Sequence, residues 1–106
     1  MKPHEHVILE IARERERQMD AEGWSLDHDD HHRDGEMALA AACYAAPKFV
    51  GFAGAVFGAL PWPWERQWWK PRDARRNLVK AAALIVAEIE RLDRAHRTVR
   101  LGDAPT

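Results

Sequence analysis

Trp62, Trp64, Trp68 and Trp69 fall within ten residues and are interleaved with Arg66 and Lys70, so one segment holds four of the chain's five tryptophans. Indole faces stack on flat rings, and cations between them suit phosphate. Pro63 and Pro71 stiffen the same stretch, which leaves a second reading: a rigid lid whose indoles cap an alanine-rich helical core. A further concentration of reactive groups runs Asp27-His28-Asp29-Asp30-His31-His32-Arg33-Asp34-Gly35-Glu36. Carboxylates suit Mg²⁺ or Mn²⁺ and imidazoles suit Zn²⁺, and Asp29, Asp30 and Glu36 are the candidate metal ligands. The competing reading is that the aspartates only cap backbone amides at a helix start while the histidines stay solvated. No cysteine partner, His-Glu-x-x-His pattern or calcium-loop spacing accompanies them.

Two charged rows flank these segments. Glu10, Glu14 and Gln18 recur at i, i+4 and share one helix face, with Arg17 beside them. Arg75, Arg76 and Lys80 open a later helix, where cations oppose the helix dipole and favour a compensating carboxylate or phosphate. For Glu16, Arg17, Glu90 and Arg94 a solvated salt-bridge face is the ordinary expectation.

The elements that must position these groups are helical. Apolar Val7, Ile8, Ile11, Ala12 and Met19 predict a first helix from about Glu5 to Glu22, closed by Gly23. A second is expected after Asp34, an N-cap residue type, carrying Met37, Ala38, Leu39, Ala41, Ala42 and Ala45 until Pro47 stops it. The last starts near Pro71 or Asp73 and runs to about His96, with Leu78, Ala82, Ile85, Ile89 and Leu92 as its core stripe. No strand-like alternation of useful length interrupts the pattern. The fold class is therefore all-α: a compact three- to four-helix bundle with a Trp/Pro-rich loop before the last long helix. Residues 1–99 form the single domain, and 100–106 a flexible tail.

Composition narrows the function classes. A chain of 106 residues is one domain, and its 16 basic against 17 acidic residues give no field for wrapping extended nucleic acid. Cys43, alone in an apolar run, reads as a small buried hydrophobe rather than a nucleophile. No secretory signal opens the sequence, so a cytoplasmic protein is expected. Phe49 to Leu60 is twelve residues without a charge, short of the roughly 20 a spanning helix needs, which argues against a membrane protein. That segment is expected to add a short fourth helix or to cover a homodimer or larger homo-oligomer interface.

The order Glu14-Arg15, Gln18, Glu22-Gly23-Trp24, His28-Asp29-Asp30, Gly35-Glu36, Ala41-Ala42-Cys43-Tyr44-Ala45, Trp62-Pro63, Trp68-Trp69-Lys70-Pro71, Arg75-Arg76-Asn77-Leu78-Val79-Lys80-Ala81 and Ala87-Glu88-Ile89-Glu90-Arg91-Leu92 resembles small phage and prophage proteins. These are grouped with MazG-like nucleotide pyrophosphohydrolases and with the N-terminal domain of dATP/dGTP diphosphohydrolases. The resemblance covers roughly residues 8 to 94. It implies an all-α, usually oligomeric fold in which Glu-x-x-Glu and Glu-x-x-Asp pairs hold Mg²⁺ against a nucleoside triphosphate. Here Glu36 is followed at the matching offset by Leu39, and Glu90-Arg91-Leu92-Asp93 lies far down the last helix.

Nucleotide binding is the expected function. Trp24, Trp64, Trp68 and Trp69 would stack, Lys70, Arg75, Arg76 and Lys80 would meet phosphate, and Gln18, Tyr44 or Asn77 would read polar edges. Sequestration of a phosphorylated or cyclic signalling nucleotide of host defence, in an infected or lysogenic bacterium, stands ahead and requires no cofactor. The alternative is a divalent-metal-dependent (d)NTP pyrophosphohydrolase using Mg²⁺ or Mn²⁺, with Glu14, Asp30 and Glu36 as catalytic carboxylates. A further alternative is a protein interaction module, since tryptophan and arginine dominate interface hot spots.

Overall fold

The computed structural model describes residues 1–52 and 59–103, with side chains described to residue 97. Among these, four α-helices carry the fold: α1 (Pro3–Asp20), α2 (Leu26–Asp30), α3 (Glu36–Ala45) and α4 (Ala74–Asp103). The chain is all-α as expected, and none of the described helices is long and apolar enough to cross a membrane.

Local chemistry sets the helix ends. Pro3 sits in the first turn of α1, where its missing N–H costs nothing. After α1, Gly23 takes φ +74°, and the Trp24 N–H reaches back to the Gln18 carbonyl at 3.1 Å. That turn lays Trp24 against the bundle. Ser25 then caps α2, its hydroxyl accepting the His28 N–H at 3.1 Å. The Asp27–Glu36 segment is therefore helical in its first half.

Asp34 does not cap the next helix. Gly35 holds the N-cap position of α3 at φ +84°, and the Glu36 carboxylate reaches back to accept the Asp34 N–H at 2.6 Å. Asp73 does cap α4, accepting the Arg76 N–H at 2.9 Å. Past its expected end at His96, α4 continues to Asp103.

The helix phases differ from expectation. α4 buries Val79, Ala81, Ala83, Leu84 and Ala87, of which Ala81 and Leu84 share a core with Ala40 and Ala41 of α3, while Leu78, Ile85, Ile89 and Leu92 stay exposed. α1 buries Glu14, Arg15 and Gln18 and exposes Val7 and Ile8. Small side chains explain the rotation: Ala40 and Ala41 on α3 and the alanines of α4 let the two axes approach closely. Trp24, Tyr44 and Trp62 complete that core.

The apolar segment after α3 begins with a 3-10 turn at Pro47–Phe49. Its flanks then meet in a parallel two-residue pairing, Val50 with Leu60 and Gly51 with Pro61, an element absent from the sequence expectation. Trp62 extends this pairing, its N–H donating to the Gly51 carbonyl at 3.0 Å. Residues 53–58, the centre of the expected fourth helix or interface, lie outside the described residues.

Candidate functional site

Two adjoining clefts open beside the bundle. The larger, about 650 Å³, is walled by Trp24, His28, His32, Pro63, Trp64 and Trp68, with Glu22 and Glu65 at its edge. That is the size of a small-molecule site. The smaller, about 310 Å³, is lined by Arg17, Glu22, Lys70, Arg72, Arg76 and Lys80. Glu22 borders both.

Aromatic packing builds the first cleft. Trp24 and His28 lie parallel, 2° apart in plane with centroids 5.9 Å apart, and Trp64 tilts against Trp24 at 5.6 Å. His32 closes the set, 4.6 Å from His28 and 5.2 Å from Trp64. The residues Trp24, His28 and His32 recur every four positions, which is the signal that could have placed both histidines in the wall. The Trp64 Nε1 is buried in that wall without a hydrogen-bond partner.

The two imidazoles are coupled through their edges. Their Nε2 atoms are 3.3 Å apart, and each Nδ1 faces a carboxylate at 3.1 Å: Asp29 behind His28 and Glu36 behind His32. The pair offers two imidazole donors, fewer than zinc usually takes from protein.

The expected metal carboxylates do not converge. Asp29 is buried and held by Arg15 at 2.7 Å, Asp30 accepts from Arg94 at 2.8 Å, and Glu36 is engaged by His32 and its own helix start. Glu14 is buried between Arg17, Arg76 and the Gln18 amide. Among the described residues, no three His, Cys, Asp or Glu side chains are grouped to hold a metal.

The second cleft carries a local charge excess. Its five cations and Glu22, together with Glu14 beneath them, sum to +3 in a chain of net charge −1. Burial, reinforced by the Arg17, Arg76 and Arg72 guanidiniums, holds the Lys80 ammonium below the usual lysine range despite the pull of Glu14. Although burial alone would raise the carboxyls, Arg17 and Arg76 hold Glu14 low, and Lys70 and Arg17 hold Glu22 low. An incoming anion would relieve the crowding of positive charge.

Between the clefts lies a gap of about 10 Å³ bordered by Gln18, Trp24, Tyr44, Trp68 and Lys80, the room of about one water molecule. The buried Gln18 Oε1 has no hydrogen-bond partner there.

Other expected ligand residues serve the scaffold. The Tyr44 hydroxyl donates to the Trp68 carbonyl at 3.4 Å and accepts the Lys70 N–H at 3.1 Å, pinning the tryptophan loop to α3. Trp69 packs on Tyr44 and Trp62 at 4.7 and 4.9 Å rather than lining either cleft. Asn77 is buried and brackets Arg72. Arg75 lies apart from both clefts and grips Glu10 through two bonds of 2.7 and 2.8 Å. Cys43 is fully buried, and burial pushes its thiol up.

No protein-family model, curated protein or solved structure matches the chain.

Proposed function

We propose that this chain is a nucleotide-binding protein that holds its ligand intact, with the base among Trp24, Trp64 and Trp68 and the phosphates on Lys70, Arg72, Arg76 and Lys80. One observation carries the reading: an aromatic cleft of base-stacking size adjoins a cationic cleft of net positive charge, and they share the Glu22 border. Stacking contributes about 1–3 kcal/mol per base and tolerates many bases. The buried, unpaired Gln18 Oε1 and Trp64 Nε1 supply polar groups for selectivity.

Holding is favoured over turnover because Glu14, Asp30 and Glu36 are each engaged by a basic side chain. The resemblance to small phage and prophage proteins supports a phosphorylated or cyclic signalling nucleotide of host defence as the ligand. On the same reading the protein works in the cytoplasm of an infected or lysogenic host, as a homodimer or larger homo-oligomer. Hydrolysis of a (d)NTP would instead require Mg²⁺ or Mn²⁺ and release of those carboxylates from their partners.

The test is mass spectrometry of small molecules carried through native purification and released by heat. An intact phosphorylated nucleotide is expected. Pyrophosphate and a nucleoside monophosphate, lost in Glu36→Ala, would replace this reading with the hydrolase. Absence of any nucleotide, with a protein captured through Trp68 and Trp69, would replace it with an interaction module.

A further inference from the structure

The chain leaves much of its large aliphatic surface outside its own core. Val7 and Ile8 on α1 and Leu78, Ile85, Ile89 and Leu92 on α4 are 39–59 % exposed, whereas the fully buried aliphatics of the bundle are mostly alanines. On α4 the residues Leu78, Ala82, Ile85, Ile89 and Leu92 follow spacings of four, three, four and three. That is a heptad seam, the pattern by which one helix packs along another. It lies on the side of α4 turned away from α3. Beside its first turn, Val7, Ile11, Leu78 and Val79 with Arg75 form a mainly apolar groove of about 230 Å³, so the patch is continuous from α4 onto α1.

We propose that this face is the contact between two copies of the chain, joined by antiparallel pairing of their α4 helices about a two-fold axis. Self-complementarity favours a second copy as the occupant. In a register that sets Leu78 of one copy against Ile89 of the other, the small Ala82 faces the large Ile85 at the centre of the seam. The same register brings Leu92 of the second copy to the groove of Val7, Ile11, Leu78 and Val79.

Charge selects the direction. Antiparallel pairing brings Arg75 beside Asp93 of the second copy, whereas parallel pairing would set Arg75 against Arg75 and Asp93 against Asp93. Leu78, Ile85, Ile89 and Leu92 with Val7, each at least 39 % exposed, form the apolar centre of a face that in a standard interface supplies roughly 800 Å² per partner. Near-neutral net charge adds no general repulsion between copies. This inference is independent of the ligand reading, because the seam shares no residue with either cleft.

Light scattering coupled to size-exclusion chromatography tests it. The expected mass is twice that of the 12.2 kDa chain, and Ile85→Glu is expected to halve it while circular dichroism still shows a helical fold. If Ile85→Glu fails to fold, a cysteine pair decides: Leu78→Cys with Ile89→Cys forms an interchain disulfide on oxidation, and neither single variant does. A monomer at all concentrations, a dimer indifferent to Ile85→Glu, or cross-linking by Leu78→Cys alone would overturn the proposal. So would a monomer whose stripe is covered by a different protein.

Discussion

Asn77 closes a two-bond ring on Arg72: its Oδ1 accepts the Arg72 N–H at 2.6 Å and its Nδ2 donates to the Arg72 carbonyl at 2.9 Å. The first turn of α4 thereby grips the segment that carries Lys70 and Arg72. From the other side, Tyr44 on α3 holds the Lys70 N–H, and Lys80 donates to the Lys70 carbonyl at 2.7 Å. The cationic cleft is thus positioned by bonds from two helices rather than by the loop itself.

Asn77→Ala removes both bonds and is expected to cost about 1–3 kcal/mol, because the Arg72 peptide loses partners it holds in a partly buried setting. Asn77→Asp keeps the acceptor but sets a buried carboxylate oxygen against the Arg72 carbonyl, so its cost should be the larger of the two. Thermal unfolding of the two variants checks the order, with a shift of roughly 4–8 °C per kcal/mol in a domain of about this size.

Arg15 and Asp29 form a buried pair at 2.7 Å. Arg15→Met strands the Asp29 carboxylate and should destabilise the fold by about 3–5 kcal/mol. The double variant Arg15→Met with Asp29→Asn removes the stranded charge and should recover part of the loss. Urea unfolding of the single and double variants measures the difference.

Acid should weaken the fold. Despite burial, which acts the other way, hydrogen bonds and cations hold Glu14, Glu22 and Glu36 below the ordinary value of 4.5. A depressed folded-state pKa contributes stability that is present above the unfolded value and lost as pH falls through the folded one. Stability is therefore expected to decline as pH falls below about 4.5, and Glu14→Gln should flatten that decline. Chemical unfolding between neutral pH and acid would show it.

Lys80 predicts the opposite edge. Its ammonium is held below the ordinary lysine value of 10.5 by burial and by its cationic neighbours. A bound phosphate favours the charged form, so affinity should fall as pH rises, beginning below 10.5. Calorimetry of nucleotide binding in buffers of different ionisation heat should show proton uptake on the alkaline side. Lys80→Met should abolish that uptake.

The helices were legible because their punctuation is local. Gly23 and Pro47 lie just beyond the ends of α1 and α3, and Asp73 stands immediately before α4. The rotation of α4 was not legible, since periodicity identifies an apolar stripe without naming what covers it. Ala81, Ala83 and Ala87 offered a second face of lower hydrophobicity but closer fit. Trp24, Trp64, Trp68, Lys70, Arg76 and Lys80 were legible by residue type. Trp69 and Tyr44 were not, because the Tyr44–Lys70 bond joins elements distant in sequence, and Trp69 packs on Tyr44 and Trp62 instead of lining a cleft. The carboxylates misled for a related reason: Arg15 and Arg94 reach Asp29 and Asp30 from other helices, so a run of acids near one another in sequence became a set of separate ion pairs.

The central claim is that the aromatic cleft and the cationic cleft form one nucleotide site. Isothermal titration with a panel of ribo- and deoxynucleoside triphosphates and cyclic dinucleotides tests it most directly. The account predicts binding of at least one member, weakened in Trp64→Ala by about 5- to 150-fold, the equivalent of one stacked base, and also weakened in Lys80→Met. No heat from any member with the folded protein, or binding indifferent to both substitutions, would contradict it.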